Sequence, residues 1–386
     1  MASRLKNVLD PVIPTVAEWI SQSPGTISLG QGVAYFPPPK EIFDIVSNPE
    51  KYNQAHLYGP CFGLPDLIDT IHRKLQSDNH INIVHEDNFV MVTAGSNMAF
   101  SHVVQAIGDP GDEIILPSPF YFNHHMAITL AGMNPMTTAV RSNFQLDIEA
   151  IESSITPKTK AIVTVSPNNP TGAVYPKSDI LRINNLCRRH NIFHISDEAY
   201  EYFTFDKNDH FSPGASQSAT EHTISLFSLS KSYGFAGWRI GYLVAPSRLK
   251  QALQKIQDTH LISPPFITQI AAKKAIDIGK NYPARHHAEI EKTRNLFLDI
   301  FNQNAHICDS PISQGAFYLL VKFKTDFTPE ELSKTLIDKN KIAALPATTF
   351  GLTKDTFLRF SFGAIAPHLR DVAANQLNDA LNAIQN

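Results

Sequence analysis

The sequence predicts an α/β protein: a large domain built on a mostly parallel sheet between helices, joined to a smaller α+β domain. Three observations carry this. Between Phe89 and Thr259, short apolar runs alternate with longer helical patterns, as strands and their covering helices do. From about Tyr282 the pattern changes to one long amphipathic helix followed by runs that suit antiparallel strands. The length of 386 residues fits two domains at roughly 150 residues each, or one large α/β unit.

Taken in order, residues 1–45 stand outside the alternating block and are rich in proline (Pro11, Pro14, Pro24, Pro37, Pro38, Pro39). The candidate strands are Phe89–Thr93, Glu113–Leu116, Lys160–Val165, Ile192–Ile195, Thr223–Phe227 and Ile240–Ala245. Most are continuous apolar runs, as strands buried on both faces should be. Between them Ala99–Ile107, Asp179–His190 and Leu249–Thr259 read as helices. His286 to Phe301 reads as the long amphipathic helix, and Ala316–Val321 and Phe357–Phe360 as antiparallel strands. A last helix carries Leu369, Val372, Leu377, Leu381 and Ile384 near the 3.6-residue period. The expected division is an N-terminal arm, 1–45, belonging to the small domain, a large domain, 46–284, and the small domain, 285–386.

Composition narrows the function. At 43% hydrophobic and 18% charged residues the chain buries a sizeable core, which excludes an intrinsically disordered protein. Lys plus Arg number 33 against 36 Asp plus Glu, a net charge of −3 with 16 His neutral. No global basic field is there to hold nucleic acid or an anionic membrane. Cys61, Cys187 and Cys308 are far apart and odd in number, which suits neither a disulfide framework nor a zinc signature. A reducing, cytoplasmic setting is expected. Met1–Trp19 carries charges, Pro11 and Pro14 where a signal peptide needs an apolar run. No stretch approaches the ~18–20 apolar residues of a membrane span.

In open α/β sheets, functional groups gather beyond the carboxyl ends of the strands. The first strand ends in Thr93-Ala94-Gly95-Ser96-Asn97 before a helix, where backbone amides make an anion site. Such a glycine turn also serves simply to start a helix. The third ends in Ser166-Pro167-Asn168-Asn169-Pro170-Thr171-Gly172, a plain turn or one that aims Asn169 into a cleft. The fourth ends in Ser196-Asp197-Glu198-Ala199-Tyr200. Asp197 there is either a helix cap or a buried carboxylate that needs a cation. The fifth ends in Ser228-Leu229-Ser230-Lys231, followed by Gly237-Trp238-Arg239-Ile240-Gly241. Most lysines are solvated, but one after a buried strand and near an arginine can be desolvated and nucleophilic. Together these groups supply an amide cradle plus Arg239 for a phosphate, a carboxylate for a ring nitrogen and an amine for a carbonyl. That is the inventory pyridoxal 5′-phosphate needs.

In this order and spacing Asn-Pro-Thr-Gly, Asp-Glu-x-Tyr, Ser-x-Ser-Lys and Gly-Trp-Arg-Ile-Gly resemble the class I/II aminotransferases, fold-type I pyridoxal-phosphate enzymes. The resemblance runs over nearly the whole chain and implies a seven-stranded sheet. Leu29-Gly30-Gln31-Gly32 to Phe36-Pro37-Pro38-Pro39 is most similar to the branch of kynurenine, glutamine and methionine aminotransferases. The resemblance implies that Lys231 forms the Schiff base and shuttles the proton, and that Asp197 pairs with the pyridine nitrogen. It implies that Asn169 and Tyr200 bond the phenolic oxygen, and that Tyr121 stacks on the ring. Gly95, Ser96 and Asn97, with Ser228 and Arg239, would hold the phosphate. Arg359, in Phe357-Leu358-Arg359-Phe360-Ser361, would bind the substrate α-carboxylate, a bidentate job suited to guanidinium, with Gly32 and Asn169 beside it. Tyr58 matches a tyrosine that reaches the phosphate of a neighbouring subunit, implying a homodimer with shared active sites. Val33-Ala34-Tyr35 departs from the branch's apolar residue, Pro and Asp at the substrate entrance.

The function so implied is ping-pong transfer of an amino group from an L-amino acid, of aromatic, Met or Gln type, to a 2-oxo acid. Two rivals stand beside it: a C–S β-lyase on the same fold, and a cofactor-binding regulatory protein, which would need a DNA-binding module. Ser228-x-x-Lys231 also fits a penicillin-recognising pattern, but the accompanying Lys-Thr-Gly is absent. His124-His125 and His286-His287 read as exposed or core-edge histidines rather than metal ligands, because helix neighbours do not face each other. Gly30-x-Gly32 lacks the third glycine of a dinucleotide fingerprint, and Cys61 reads as a structural thiol.

Overall fold

A strand covered on both faces needs no polar side, and the apolar runs of the central region fold accordingly. The computed structural model describes residues 2–384 apart from 49, 51 and 53. The arm contributes β1 (Ile27–Ser28). The central region holds β2 (Asn88–Thr93), β3 (Glu113–Pro117), β4 (Asn134–Thr138), β5 (Thr159–Val165), β6 (Phe193–Asp197), β7 (Thr223–Ser228) and β8 (Gly241–Pro246). The C-terminal third holds β9 (Tyr318–Lys322), β10 (Ile342–Ala343), β11 (Leu345–Pro346) and β12 (Phe357–Ser361).

Among the described residues the central strands form one seven-stranded sheet in the order β2-β8-β7-β6-β5-β3-β4. Only β8 runs against its neighbours, so the sheet is mostly parallel, as expected. Alternate residues face opposite sides. Val90, Val92, Phe227, Tyr242 and Val244 enter one apolar cluster, while Phe89, Met91, Leu226, Leu243 and Ala245 enter the other. Each fully buried side chain of this size contributes on the order of 1.5–3 kcal/mol.

β4 was missing from the candidate strands. It is the edge strand of sequence Asn-Pro-Met-Thr-Thr and is largely exposed, so it has no apolar run to betray it. The final helix also differs from the expected one. It spans Arg370–Ile384, and its buried seam is Ala373, Ala374, Leu377, Ala380 and Leu381. Leu369 and Val372 are 47% and 55% exposed. Alanines form the contact because small side chains let this helix approach the helices Asn281–Gln303 and Pro329–Asn340 closely.

In the C-terminal third, β11, β12 and β9 pair antiparallel, which sets Tyr318 opposite Ser361 and Leu320 opposite Arg359. β1 pairs parallel with β10, and Val12 and Val16 of the first helix pack with Ile337, Ala343 and Leu345. The proline-rich arm is thereby tied to the C-terminal third, and it leads Gln31 and Gly32 back over the sheet.

Candidate active site

Reversal of one strand brings the expected groups together. Because β8 is antiparallel, its first residue, Gly241, registers with Thr93 of β2 and Ser228 of β7. Arg239, just before β8, therefore lies beside the turn that follows β2. Gly95 sits there at φ 86°, and a side chain on it would meet Arg239 Nη2 at 2.6 Å. Ser96 opens the helix Ser96–Ile107, whose free amides carry partial positive charge. Ser228 Oγ accepts from Ser230 N at 3.2 Å, capping the short helix Leu229–Ser232 that carries Lys231.

The Lys231 amine donates to the Gly32 carbonyl. Burial first, then the charges of Arg359 and Arg239, push it down to about 8, with Asp197 acting the other way. Asp197, the last residue of β6, is 4% exposed. Its Oδ1 accepts from Ala199 N at 3.1 Å, and its Oδ2 lies 3.1 Å from His124 Nε2. His124 is therefore neither exposed nor at the core edge. It is buried, stacked on Phe100 at 3.9 Å, and pairs the carboxylate that was expected to need a partner.

Asn169 and Arg359 form the opposite wall. Arg359 is 2% exposed, donating to Asn169 Oδ1 at 2.8 Å and to Gly30 O at 2.6 Å. Its guanidinium carbon lies 4.4 Å from the Tyr318 ring centre and 5.0 Å from that of Phe350. Tyr200 and Tyr318 share a 2.5 Å hydrogen bond, and burial, then each other's proximity, pushes the Tyr200 hydroxyl well up. Tyr121 precedes the helix Phe122–Leu130, accepts from Asn123 Nδ2 at 2.9 Å, and meets His124 edge-on at 5.1 Å.

Most of these groups line one cavity of about 400 Å³; Gly95 and His124 are not in its lining. It contains Gly32, Ser96, Asn97, Tyr121 and Asn169 from the expected set. Asp197, Tyr200, Ser228, Lys231, Arg239 and Arg359 complete it. Tyr58 lies elsewhere, 84% exposed beside Leu57 at 67%. The sequence reading missed Tyr318, His124 and the arm residues Pro11, Ile13 and Pro14, which also reach the cavity or its carboxylate. The one available signal for His124 was its helical spacing from Tyr121, three residues earlier. Tyr318 had none beyond its place in an expected strand.

Lys231, Arg239 and Arg359 face a single lining carboxylate, Asp197. A cavity with surplus positive charge, an amide-lined anion cradle and a depressed lysine amine suits an anionic carbonyl cofactor. The residues fit pyridoxal 5′-phosphate. Fold and site together define an enzyme of the α/β class.

The family described as aminotransferase class I and II matches residues 24–377. An aspartate aminotransferase of Pyrococcus abyssi is 30% identical over 96% of each chain. An aromatic-amino-acid aminotransferase of Thermococcus litoralis is 28% identical over 96% of each. A solved Pyrococcus structure superposes with a TM-score of 0.92 at 28% identity, over 99% of this chain and 98% of its own. The chain belongs to the class I and II aminotransferase family, whose members depend on pyridoxal phosphate, and it is an aminotransferase acting on amino acids and 2-oxo acids. These relatives favour transfer over the C–S lyase outcome. Their names, aspartate and aromatic types, lend no support to the kynurenine, glutamine and methionine branch.

Proposed function

We propose that this chain holds pyridoxal 5′-phosphate at Lys231 and takes its amino group from a bulky neutral or aromatic L-amino acid. The observation that carries the reading is the buried Lys231 amine, held down to about 8 between burial, Arg359 and Arg239. When bound, the cofactor supplies an electron-accepting ring that weakens the substrate's α C–H bond. Arg239, the amides after Gly95, Ser96, Asn97 and the Ser228 hydroxyl would hold its phosphate. Asp197, kept in place by His124, would face the ring nitrogen, and Tyr121 would cover the ring. Asn169 and Tyr200 would donate to the ring oxygen.

Arg359 takes the substrate carboxylate in a two-pronged grip. Its bonds to Asn169 and Gly30 fix the guanidinium plane before substrate arrives. Lys231, readily neutral near its shifted pKa, is the group placed to take the α-proton and hand it back. Gly32 aims that amine by accepting from it. The second 2-oxo acid uses the same groups in reverse, which gives ping-pong kinetics.

Among the described residues the cations lining the cavity are Lys231, Arg239 and Arg359, and each has a task. The remaining wall includes Pro11, Ile13, Pro14, Val33 and Phe122, which supports a donor with an uncharged side chain. The name of the Pyrococcus abyssi relative favours aspartate as the competing donor. Among the described residues its second carboxylate would find no further cation in the lining.

The exposed Leu57–Tyr58 pair supports a homodimer in which Tyr58 reaches the other subunit's phosphate site. The division into arm 1–45, large domain 46–284 and small domain 285–386 is supported by the β1–β10 pairing. Three unpaired cysteines support a reducing, cytoplasmic setting.

The test is a half-reaction. Loaded protein is mixed with one amino acid at a time and no 2-oxo acid. Loss of the visible band with one equivalent of 2-oxo acid released, fastest for aromatic donors and Met, is expected. Aspartate outrunning them would defeat the neutral-donor reading, and catalytic pyruvate and ammonia from cysteine would make the protein a lyase. For shared sites, mixing inactive Tyr58→Ala and Lys231→Ala subunits should restore about a quarter of parental activity through hybrid dimers with one intact site. No recovery would defeat the shared-site dimer.

A further inference from the structure

Tyr318 has no role in the reading above, yet it touches three of its parts. It is 1% exposed and comes from β9, whereas Tyr200 follows β6. The two hydroxyls lie 2.5 Å apart with their rings edge-on, centres 5.5 Å apart. The Tyr318 ring lies under the Arg359 guanidinium. Its hydroxyl fills the space where Gly32 has no side chain, an ideal Cβ there falling 1.9 Å away. Gly172, of the Asn-Pro-Thr-Gly turn, is kept bare by the Tyr318 backbone, whose carbonyl would lie 2.8 Å from a Cβ.

A phenol has one proton. If Tyr200 gives its proton to the cofactor's ring oxygen, it can only accept from Tyr318. We infer that Tyr318 is a positioning residue: its hydroxyl donates to Tyr200 and aims the Tyr200 O–H at the cofactor, while its ring supports Arg359 at the substrate carboxylate. The inference rests on the proposed cofactor. Chained donors strengthen one another, so Tyr318 also makes Tyr200 the better donor. One side chain thereby ties cofactor tuning to carboxylate binding.

The experiment is a pH titration of the visible absorbance of the loaded enzyme in four forms: parent, Tyr318→Phe, Tyr200→Phe and the double variant. Donation to the ring oxygen favours its anionic form, so weaker donation raises the midpoint. Tyr318→Phe is expected to raise it by about half to one pH unit in the parent, and to add nothing once Tyr200 is Phe. No movement, or the same movement in both backgrounds, would overturn the relay. Should Tyr318→Phe not fold, 3-fluorotyrosine at position 318, a stronger donor of nearly the same shape, must lower the midpoint; an unmoved or raised midpoint would also overturn it.

The ring's part is read from KM for the 2-oxo acid. Tyr318→Phe should leave it unchanged and Tyr318→Leu should raise it about two- to fivefold. Equal effects of the two would overturn the support of Arg359. A parent with no visible band after loading fails the cofactor reading and this inference with it. A parent that titrates normally beside an unmoved Tyr318→Phe fails this inference alone.

Discussion

A methyl group added at Gly32 would lie 1.9 Å from the Tyr318 hydroxyl oxygen and 2.8 Å from the ring carbon that bears it. Ordinary contact starts near 3.4 Å, so about 1.5 Å of movement is required. Neither side is free to give it. Tyr318 is buried and bonded to Tyr200 at 2.5 Å. The Gly32 segment is pinned by Leu29 N to Ala343 O at 2.8 Å, Arg359 to Gly30 O at 2.6 Å and Tyr35 N to Gly363 O at 2.7 Å. Gly32→Ala must therefore break the tyrosine pair or lift the segment away from Lys231 and Arg359. Overpacking costs about 1–3 kcal/mol and the lost hydrogen bond about 1 kcal/mol, together about 2–4 kcal/mol. For 386 residues this lowers Tm by about 3–5 °C. Scanning calorimetry measures that loss, and steady-state kinetics should show KM for the 2-oxo acid rising as kcat falls. In Gly32→Ala/Tyr318→Phe the nearest atom is gone and the required movement drops to about 0.6 Å, so about 1–2 kcal/mol should return. A Gly32→Ala protein melting within about 1 °C of its parent with unchanged KM would refute the packing argument, as would a double variant that recovers nothing.

Other perturbations probe the remaining walls. Covalent capture of the cofactor by ligand-free protein needs the neutral Lys231 amine, so its rate should rise with pH and level off above about 8; a midpoint near 10 would show that the amine is not desolvated. Arg359→Lys loses the planar two-pronged grip and should raise KM for 2-oxo acids about 10- to 100-fold with the visible band intact; an unchanged KM would place the carboxylate elsewhere. His124→Phe keeps the stack on Phe100 but strips Asp197 Oδ2 of its partner, so cofactor should dissociate about tenfold more readily. Equal retention in a dialysis assay would count against His124 as the holder of Asp197.

The parts of this molecule that were legible in the sequence are those where one chemical need dominates a short stretch. Strands covered on both faces are mostly apolar, and so β2, β3, β5, β6, β7 and β8 stand out within a residue or two at their ends. Motif residues at strand ends were legible because Gly95, Asn169, Asp197 and Lys231 each sit where a buried strand stops. β4 escaped because an edge strand open to solvent carries no such demand. The seam of the last helix was misread because alanine, though apolar, was outweighed by the larger Leu369 and Val372 on the solvent side. His124 and Tyr318 escaped for a different reason: their meaning lies in what they touch across the fold. Adjacency to His125 in the chain said nothing of Asp197, and a tyrosine inside an apolar strand reads as core until Gly32 is seen against its hydroxyl.

Those two residues also explain how the cavity keeps its charge available. Arg359 is buried, yet the oxygens it bonds belong to Asn169 and Gly30, both uncharged. The one carboxylate in the lining, Asp197, is hydrogen-bonded by His124 and the Ala199 amide, and its pull on Lys231 is outweighed by burial, Arg359 and Arg239. A buried cation whose hydrogen bonds go only to neutral oxygens, with Nε left unpartnered, costs stability and gains most when an anion arrives. On the function proposed above, the cofactor's phosphate and the substrate carboxylate would be two such anions, entering at opposite walls. The like charges that await them also hold the Lys231 amine low. Binding power and the readiness of the base thus come from one arrangement: cations placed close together and given neutral partners, with Arg359 also kept from water.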